Sequence, residues 1–405
     1  MPEKEEKILG LKKNVFFLGL VSLFNDFSNQ MIQAVMPVFL GVTLGVPPIG
    51  IGLIEGVADA VASFLKIFSG WFSDKIGLRK LPAILGYSIS VATRPFFIIA
   101  SKFSQVLTIR LVDRVGKGLR DSPRDALLSA SANHEDLGKS FGYHRAMDAV
   151  GGMLGPLAAF LILPIVHNDY NKLFSIAFFI GLLAIFSFVF VKEIKRPNGT
   201  GLPRLNIKLF KEHRDFSLFI TAVFLFGLGA LPITLMFLRP IEVGLKLDNI
   251  PLIYFVYYIV FVLTAFPFGK LSDKVGERSI IGVGFLAAIA TYAMLAFSDS
   301  MGPAIFAFMI FGIYSAATDG IERALAAKLV EPKILATGQG VLDAAIGISS
   351  LLAGLIGGGL WTFFGAPAAF IYGIVMSVLG LALFLHISFG RKFTRRCGYG
   401  CRDNI

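Results

Sequence analysis

Hydrophobic and polar residues follow one another in long blocks along this chain, not in the short alternation of a soluble domain. Twelve blocks stay apolar for about 20 residues, the length that an α-helix needs to cross the hydrocarbon core of a membrane. The pattern therefore predicts an all-α membrane protein with twelve transmembrane helices in two six-helix bundles. The predicted spans are residues 15–43, 49–72, 81–100, 106–128, 141–166, 173–191, 216–238, 251–268, 280–297, 303–329, 340–364 and 366–389.

One long polar connection divides the apolar blocks into two sets of six. It contains seven Lys or Arg residues together with Pro197 and Pro203, a composition typical of an interdomain linker. The predicted units are an N-terminal bundle (1–191), a linker (192–215), a C-terminal bundle (216–390) and a tail (391–405).

The distribution of basic residues predicts how the chain lies in the membrane. The net charge is +11, yet only Lys102, Lys172, Arg239 and Lys246 fall in connections on the side opposite the linker. Because basic loops stay in the cytoplasm, the linker and both termini are expected there, in the cytoplasmic membrane of a prokaryote. Topology accounts for the positive charge, so we expect no nucleic-acid partner.

Nothing in the sequence predicts an enzyme or a bound cofactor. The two cysteines, Cys397 and Cys401, have no histidine nearby, so a metal site is not expected. Gly138-Lys139-Ser140 resembles the end of a P-loop, but the first glycine is missing and a membrane helix precedes it.

A short motif occurs twice at a constant offset of 199 residues, which indicates a duplicated membrane unit. It resembles the loop between helices two and three in the major facilitator superfamily, Gly-x-x-x-Asp-Arg/Lys-x-Gly-Arg-Arg/Lys. Leu78 and Glu277 stand where that family usually has its first arginine. The residues of the two copies that the resemblance assigns to gating are Gly70, Asp74, Gly77, Arg79, Gly269, Asp273, Gly276 and Arg278.

The two motif aspartates are predicted to hold a gate at the cytoplasmic side. Asp74 is expected to contact the start of the eleventh helix near residues 336–340, and Asp273 the start of the fifth near residues 138–141. The free N–H groups at a helix N-terminus favour a carboxylate. Each contact should break as the gate opens.

Ionisable residues inside the spans predict a polar cavity. A basic residue at the centre of a bilayer costs about 3 kcal/mol if it faces lipid, so these side chains must be paired or solvated. Structural ion pairs between helices are the alternative for any single residue. The candidates for proton and substrate translocation are Asp26, Glu55, Asp59, Arg94, Arg110, Asp113, Arg114, Lys117, Arg145 and Asp148.

Asp26 is the main candidate for the proton site, because it is the only carboxylate of the first span and lies among amide side chains. Arg110 and Arg145 are its expected counter-charges. The fourth span resembles the family motif whose arginine, here Arg110, is linked to proton handling. The fifth resembles the Gly-x8-Gly-x3-Gly-Pro motif of proton-coupled antiporters, in which Gly155 and Pro156 suit a gate. A glycine-rich packing face is the alternative for the second motif.

Segments 116–127 and 141–148 also resemble a prokaryotic subgroup of the superfamily, although Gln30 replaces a glutamate expected in the first span. The resemblance implies a monomeric carrier of a small solute. The first hypothesis is proton-coupled antiport of an organic molecule. The second is proton-coupled import of an anionic nutrient such as a polycarboxylate or metal chelate, for which the basic residues are suited. A receptor or channel is the third, and the duplicated gate motif argues against it.

Overall fold

Twelve long helices run through the part of the chain that the computed structural model describes, and they confirm the predicted spans. That part comprises residues 7–132, 136–194, 213–331 and 334–389, without the side chains of Ile67, Trp71, Asp74, Leu335, Ala336 and residues 387–389. The helices are α1 (Lys13–Gln33), α2 (Pro48–Ile76), α3 (Lys80–Thr93), α4 (Phe103–Ser131), α5 (Leu137–Ile165), α6 (Tyr170–Ser187), α7 (Arg214–Leu228), α8 (Ile250–Val275), α9 (Glu277–Phe297), α10 (Met301–Thr318), α11 (Leu335–Phe364) and α12 (Ala366–Phe389).

Short segments extend or connect these helices. Two strands, β1 (Lys7–Ile8) and β2 (Leu11–Lys12), form an antiparallel hairpin before α1. Single helical turns continue several of the long helices at their ends. The turns are Met36–Val38, Phe39–Thr43, Arg94–Ile99, Phe188–Phe190, Ile233–Met236, Leu238–Glu242 and Leu247–Asn249, and the longer segment Ile321–Lys328 follows α10.

The helices repeat at the offset found in the sequence motif. The last residues of α2 and α8, Ile76 and Val275, are 199 positions apart, as are those of α5 and α11, Ile165 and Phe364. We call α1–α6 the first half and α7–α12 the second half. The end of the bundle where the chain passes between the halves is the linker end, and the opposite one is the far end.

The two halves touch through α2 with α11 and through α5 with α8. At the far end α2 and α11 meet backbone to backbone. A Cβ added to Gly52 would lie 1.9 Å from the carbonyl oxygen of Gly354, and one on Gly358 would lie 2.6 Å from that of Pro48. At the linker end, by contrast, Gly138 and Gly142 of α5 have no described atom within 4 Å of an added Cβ. Among the described residues the halves are therefore closed on each other at the far end, while the linker end of α5 is open.

Polarity is concentrated in three helices of the first half. In the described part of the chain, nine helical segments are long and apolar enough to cross a membrane by length and composition. The three long helices outside that set are α1, α2 and α4, which carry most of the candidate residues. The apolar second half packs instead through aromatic stacks, such as Phe237 with Phe308 at 4.1 Å between ring centroids.

The tenth span is interrupted, which the hydropathy pattern did not predict. Asp319 is extended and Gly320 has φ +80°, so the helix stops and restarts as Ile321–Lys328. Glycine adopts this left-handed backbone without steric cost, and the Asp-Gly pair allows the break.

Candidate functional site

A chain of buried charges joins the far-end halves of α2 and α4. Glu55 and Asp59 lie one turn apart on α2, as do Arg110 and Arg114 on α4, so each pair points from one helix face. Arg110 Nη2 is 2.5 Å from Glu55 Oε2, and Arg114 Nη2 is 3.9 Å from the same oxygen. Arg114 Nε is 3.7 Å from Asp59 Oδ1, and Arg110 Nη1 is 4.0 Å from Asp113 Oδ2. These pairs bring together five residues that the sequence predicted.

This chain of charges is buried, so removing one of its members should lower the free energy of unfolding. The whole residues Glu55 and Arg110 are only 4% and 2% exposed. Glu55 Oε1, Arg110 Nε and Arg114 Nε are buried and have no hydrogen-bond partner in the described structure. An ion pair at this depth is stable only while both partners are present. Hydrogen-bonding capacity that the fold leaves unused is available to a solute or to water.

The second half contributes to the same site through α8 and α11. Ser350 Oγ donates to Asp59 Oδ2 at 3.4 Å, across the boundary between the halves. Tyr254 is 3% exposed and lies within electrostatic range of Glu55, Arg110 and Arg114. Neither Ser350 nor Tyr254 is among the translocation candidates that the sequence predicts. A tyrosine cluster in an apolar helix more often indicates packing, and a lone serine in a glycine-rich helix carries no signal.

A second group of charges lies about two to three turns closer to the linker end. Lys66 Nζ is 3.3 Å from Asp121 Oδ2, so Lys66 contacts α4 from the same face of α2 as Glu55 and Asp59. Arg124 Nη2 lies 2.9 Å from Asp125 Oδ1. Lys117, predicted as a translocation residue, lies between the two groups. It has no carboxylate within ion-pair distance among the described residues.

Arg94 joins α3 to α1 and is separate from the Glu55 group. It is 3% exposed and donates to Asn25 Oδ1 at 2.9 Å and to Ser28 Oγ at 2.5 Å. Arg120 reaches the same Asn25 oxygen at 3.5 Å and stacks over the ring of Tyr87 at 4.5 Å. These contacts hold three helices of the first half together, and a role of Arg94 in translocation stays a prediction.

One candidate carboxylate lies on α1 and another on α5. Asp26 accepts a hydrogen bond from Asn25 Nδ2 at 2.9 Å. Asp148 Oδ2 lies 3.5 Å from both His144 Nδ1 and Arg145 Nη1. The other oxygen of Asp148 is buried and has no hydrogen-bond partner in the described structure.

Asp26 and Asp148 are within electrostatic range of each other, and Tyr258 of α8 is within range of Asp26. The prediction that Arg110 and Arg145 are the counter-charges of Asp26 is wrong in this structure. Arg110 pairs with Glu55, and Arg145 pairs with Asp148. The Arg145 side chain is also 65% exposed. Partner choice depends on helix rotation and depth, which sequence spacing does not determine.

The first copy of the duplicated motif is tied into its own half. Gly77 ends α2 with φ +66°, in the left-handed region that favours glycine. The Arg79 guanidinium donates to the carbonyl of Ala126 at the end of α4, at 2.8 Å. Gly70 of α2 faces Ser122 of α4, and a Cβ added to this glycine would lie 2.5 Å from the Ser122 hydroxyl oxygen. The side chain of Asp74 lies outside the described residues, so its predicted contact with α11 stays a prediction.

The second copy is held differently. Gly276 precedes α9 with φ +89°, and Glu277 beside it forms an ion pair with Lys328. Asp273 is exposed, and Gly269 has no described atom within 4 Å of an added Cβ. Among the described residues Asp273 has no hydrogen bond to the start of α5, where Gly138 and Lys139 are exposed, and its predicted contact there stays a prediction.

The glycine motif of α5 packs within the first half. A Cβ added to Gly155 would lie 2.7 Å from the backbone nitrogen of Met31, and one on Gly151 would lie 2.4 Å from the carbonyl oxygen of Leu23. Both glycines therefore allow α5 to approach α1, and Pro156 follows inside the same helix. In the described part of the chain, no group of three or more His, Cys, Asp or Glu side chains could hold a metal ion.

Comparison with known sequences identifies the family of this chain. The chain matches the family profile of the Major Facilitator Superfamily over residues 18–250 and 240–396. It is 31% identical over 384 residues to an uncharacterized MFS-type transporter of Methanocaldococcus jannaschii, covering 93% of this chain and 95% of the relative. It is 25% identical over 226 residues to the quinolone resistance protein NorA of Staphylococcus aureus, covering 54% and 57% of the two chains.

A solved structure shares the fold at low sequence identity. A POT family transporter in complex with 5-aminolevulinic acid superposes with a TM-score of 0.80 at 13% identity, covering 95% of this chain and 97% of the other. Two six-helix halves, the duplicated loop motif and the family match over nearly the whole chain agree. This protein belongs to the Major Facilitator Superfamily and is a transporter of that family.

Proposed function

We propose that the chain is a proton-coupled antiporter that exports a small organic solute by alternating access. The observation that carries the proposal is the Asp26–Asp148 pair between α1 and α5, in which one buried carboxylate oxygen of Asp148 lacks a partner in the described structure. Two neighbouring carboxylates take up a proton or a cationic group more readily than an isolated one. A proton and a solute that compete for this pair would exchange across the membrane.

The arrangement of the halves supports alternating access with the linker end in the cytoplasm. The basic linker and loops favour that orientation. The far end is closed by the α2–α11 glycine contacts, whereas Arg145 and Asp273 are exposed at the linker end. This arrangement supports an inward-open state, from which a cytoplasmic solute would enter. Closure of the linker end would bring Asp74 to the start of α11 and Asp273 to the start of α5, as the sequence predicts.

The proposed domains and location are those that the sequence predicts. The proposed units are the bundles 1–191 and 216–390 with the linker and a cytoplasmic tail, working as a monomer in the prokaryotic cytoplasmic membrane. Residues 191–194 pack on the first half, so that bundle extends slightly beyond the proposed boundary. The similarity to NorA, whose name records quinolone resistance, favours export over import.

The test uses protein reconstituted in liposomes that contain a pH-sensitive dye, with a fluoroquinolone and ethidium as first probes. We expect each active probe to move protons in the opposite direction. Asp26→Asn or Asp148→Asn should abolish accumulation driven by a pH gradient while probe exchange at equal pH continues, because exchange needs no net proton movement.

The matched control is Asp299→Asn, which removes an exposed carboxylate at the far end. It should keep gradient-driven accumulation. If Asp26→Asn accumulates probe as well as this control does, the proton site lies elsewhere, and Asp148, Glu55 and Asp59 become the candidates.

The second candidate function is proton-coupled import of an anionic nutrient, a polycarboxylate or a metal chelate. Arg114 and Lys117 favour it: they follow each other along α4, and Lys117 lacks an ion-pair partner among the described residues. With citrate as the probe, an inward proton gradient should drive uptake, and Lys117→Gln should reduce it about tenfold, the loss of one charge-assisted contact of roughly 1.4 kcal/mol. Lys246→Gln at the far end is the control. Citrate uptake that is unchanged in Lys117→Gln would argue for export of an uncharged or cationic solute instead.

A further inference from the structure

Three polar side chains form a row along α5 between the linker end and a candidate proton site. Ser140, His144 and Asp148 are spaced four residues apart, so they lie on one face of the helix. Ser140 and His144 are 3% and 1% exposed, whereas Gly138 and Lys139, just before them, are exposed. The row therefore leads from the exposed start of α5 to the carboxylate of Asp148.

The imidazole of His144 has a partner at only one of its two nitrogens. Nδ1 lies 3.5 Å from Asp148 Oδ2, within reach of a hydrogen bond. Nε2 is buried and has no hydrogen-bond partner in the described structure. A histidine that served packing alone would have both nitrogens satisfied, because a buried polar atom without a partner is costly. Packing therefore does not account for this side chain.

The second half has no such row at the equivalent place. At the repeat offset of 199 residues, the three positions correspond to Gln339, Asp343 and Gly347 of α11. Asp343 is held by Arg323 at 2.7 Å, and Gly347 has no side chain that could form a pair with it. A helix in this place of the fold thus packs without a histidine–carboxylate pair.

The charges around the pair disfavour an additional positive charge on the imidazole. The groups within electrostatic range of His144 or Asp148 are Asp26 of α1, Asp121, Arg124 and Asp125 of α4, and Arg145 of α5. Tyr258 of α8 is within range of Asp26. Arg124 and Arg145 act on His144 directly, and only Asp121 opposes them there. A buried ring between two guanidinium groups handles a proton more readily as a neutral imidazole than as imidazolium.

We propose that His144 relays protons between Asp148 and the linker end by exchanging its two neutral tautomers. The inference rests on the proposed function, in which Asp148 takes part in proton binding. When Asp148 is ionised, the ring carries its hydrogen on Nδ1 and donates it to Oδ2, while the lone pair of Nε2 is free. When Asp148 is protonated, its O–H donates to Nδ1 and the ring carries its hydrogen on Nε2.

The exchange between these states moves one proton and leaves the ring neutral. For release, the O–H bond of Asp148 breaks as an N–H bond forms at Nδ1, and the N–H bond at Nε2 breaks as its proton passes to water on the linker side. Asp148 is left as a carboxylate, and uptake is the reverse. Because His144 lies one helical turn, about 6 Å, closer to the linker end than Asp148, release carries the proton towards that end.

Solid-state NMR of the full chain in liposomes tests the relay without a solute. With ¹⁵N-labelled histidine, a ring nitrogen that carries hydrogen has a different shift from one that does not, and His144→Gln identifies the signals of His144 among five histidines. As the pH falls and Asp148 binds its proton, the hydrogen of His144 should move from Nδ1 to Nε2. Asp148→Asn should abolish this change, whereas the exposed far-end control Asp299→Asn should keep it.

A single tautomer of His144 at every pH would overturn the relay. So would an unchanged transition in Asp148→Asn, which would give the detected proton another origin, or signals of imidazolium in place of the tautomer change.

Transport in liposomes gives a second readout. His144→Gln keeps a polar side chain but has no ring through which a proton can pass. It should slow accumulation of ethidium or a fluoroquinolone driven by a pH gradient roughly 100-fold, a typical contribution of a positioned proton-transfer group. Probe exchange at equal pH should continue, which shows that the variant is folded. Wild-type protein that moves no protons with either probe contradicts the proposed function and the relay with it. Coupled transport that His144→Gln leaves unchanged overturns the relay alone.

Discussion

The helix pair α2–α4 and its repeat α8–α10 occupy equivalent places in the fold, yet their interiors are chemically opposite. At the offset of 199 residues, Glu55 and Asp59 are replaced by Tyr254 and Tyr258. Arg110 likewise becomes Met309 and Arg114 becomes Ile313. α2 and α8 end at equivalent residues, whereas α10 breaks at Asp319-Gly320 and α4 does not. Every member of the buried ion-pair chain changes to an uncharged residue.

This difference separates what holds the fold from what performs transport. Helix length, apolar surface and glycine contacts are common to both halves, so they are sufficient for the architecture. Among the described residues the buried ion-pair chain between α2 and α4 has no equivalent between α8 and α10. Buried charges of this kind are costly in a membrane protein and are typical of sites that handle solute or protons. In the second half, Tyr254 fills the corresponding space by stacking on Phe237 at 4.7 Å.

The largest expected effect comes from breaking the ion-pair chain. Glu55→Ala leaves the Arg110 guanidinium buried without its 2.5 Å partner, which should lower the free energy of unfolding by about 3–5 kcal/mol. Tyr254→Phe at the equivalent position keeps the ring and should cost less than about 1 kcal/mol. Thermal unfolding of both variants in detergent measures the contrast.

A double variant sharpens the same comparison. Glu55→Tyr with Arg110→Met installs the residues of the second half, and removing both charges together should restore most of the stability lost in Glu55→Ala. Transport should remain absent. Recovery of transport along with stability would contradict the view that the charges serve function and not the fold.

The sequence predicts the shared features of the halves better than their differences. Helix number, span positions and the common α2 face of Glu55, Asp59 and Lys66 follow from hydropathy and helical spacing. Pairing does not, because it depends on how helices rotate after packing. Arg124 and Arg323 occupy equivalent positions, but Arg323 bonds Asp343 of α11 at 2.7 Å. The residue equivalent to Asp343 is His144, and Arg124 instead binds its own neighbour Asp125.

Contacts made by connecting segments were also beyond prediction. In the sequence Glu193 is one of many charged residues in a polar linker. Only the fold shows that it accepts hydrogen bonds from the N–H groups of Arg79 and Lys80 at the start of α3. The break at Asp319-Gly320 had a visible signal in its glycine, but long apolar flanks favour an unbroken helix.

The second expected effect concerns the two contacts between the halves. Gly52→Ala places a methyl group against the Gly354 backbone, which cannot move aside, and should cost about 1–3 kcal/mol in the far-end-closed state. Gly152→Ala meets only the ring of Tyr258, 2.7 Å away, and a side chain can turn away at smaller cost.

Maleimide labelling of Val46→Cys, buried at the far end, reports whether the halves separate. Labelling should accelerate in the Gly52→Ala background and change little in Gly152→Ala. Equal labelling in both backgrounds would mean that the α2–α11 contact does not control the far-end opening.

The smallest expected effect concerns the two motif loops, whose anchors differ between the halves. Glu277→Leu gives the second loop the residue of the first and removes the ion pair with Lys328, whose side chain is 64% exposed. Because solvent screens so exposed a pair, the free energy of unfolding should fall by less than about 1 kcal/mol. Arg79→Ala removes a hydrogen bond to the Ala126 carbonyl in a half-buried position and should cost more, about 1–2 kcal/mol. Thermal unfolding in parallel ranks the two. If Glu277→Leu proves the more damaging, its carboxylate stabilises the second loop by more than the ion pair with Lys328 accounts for.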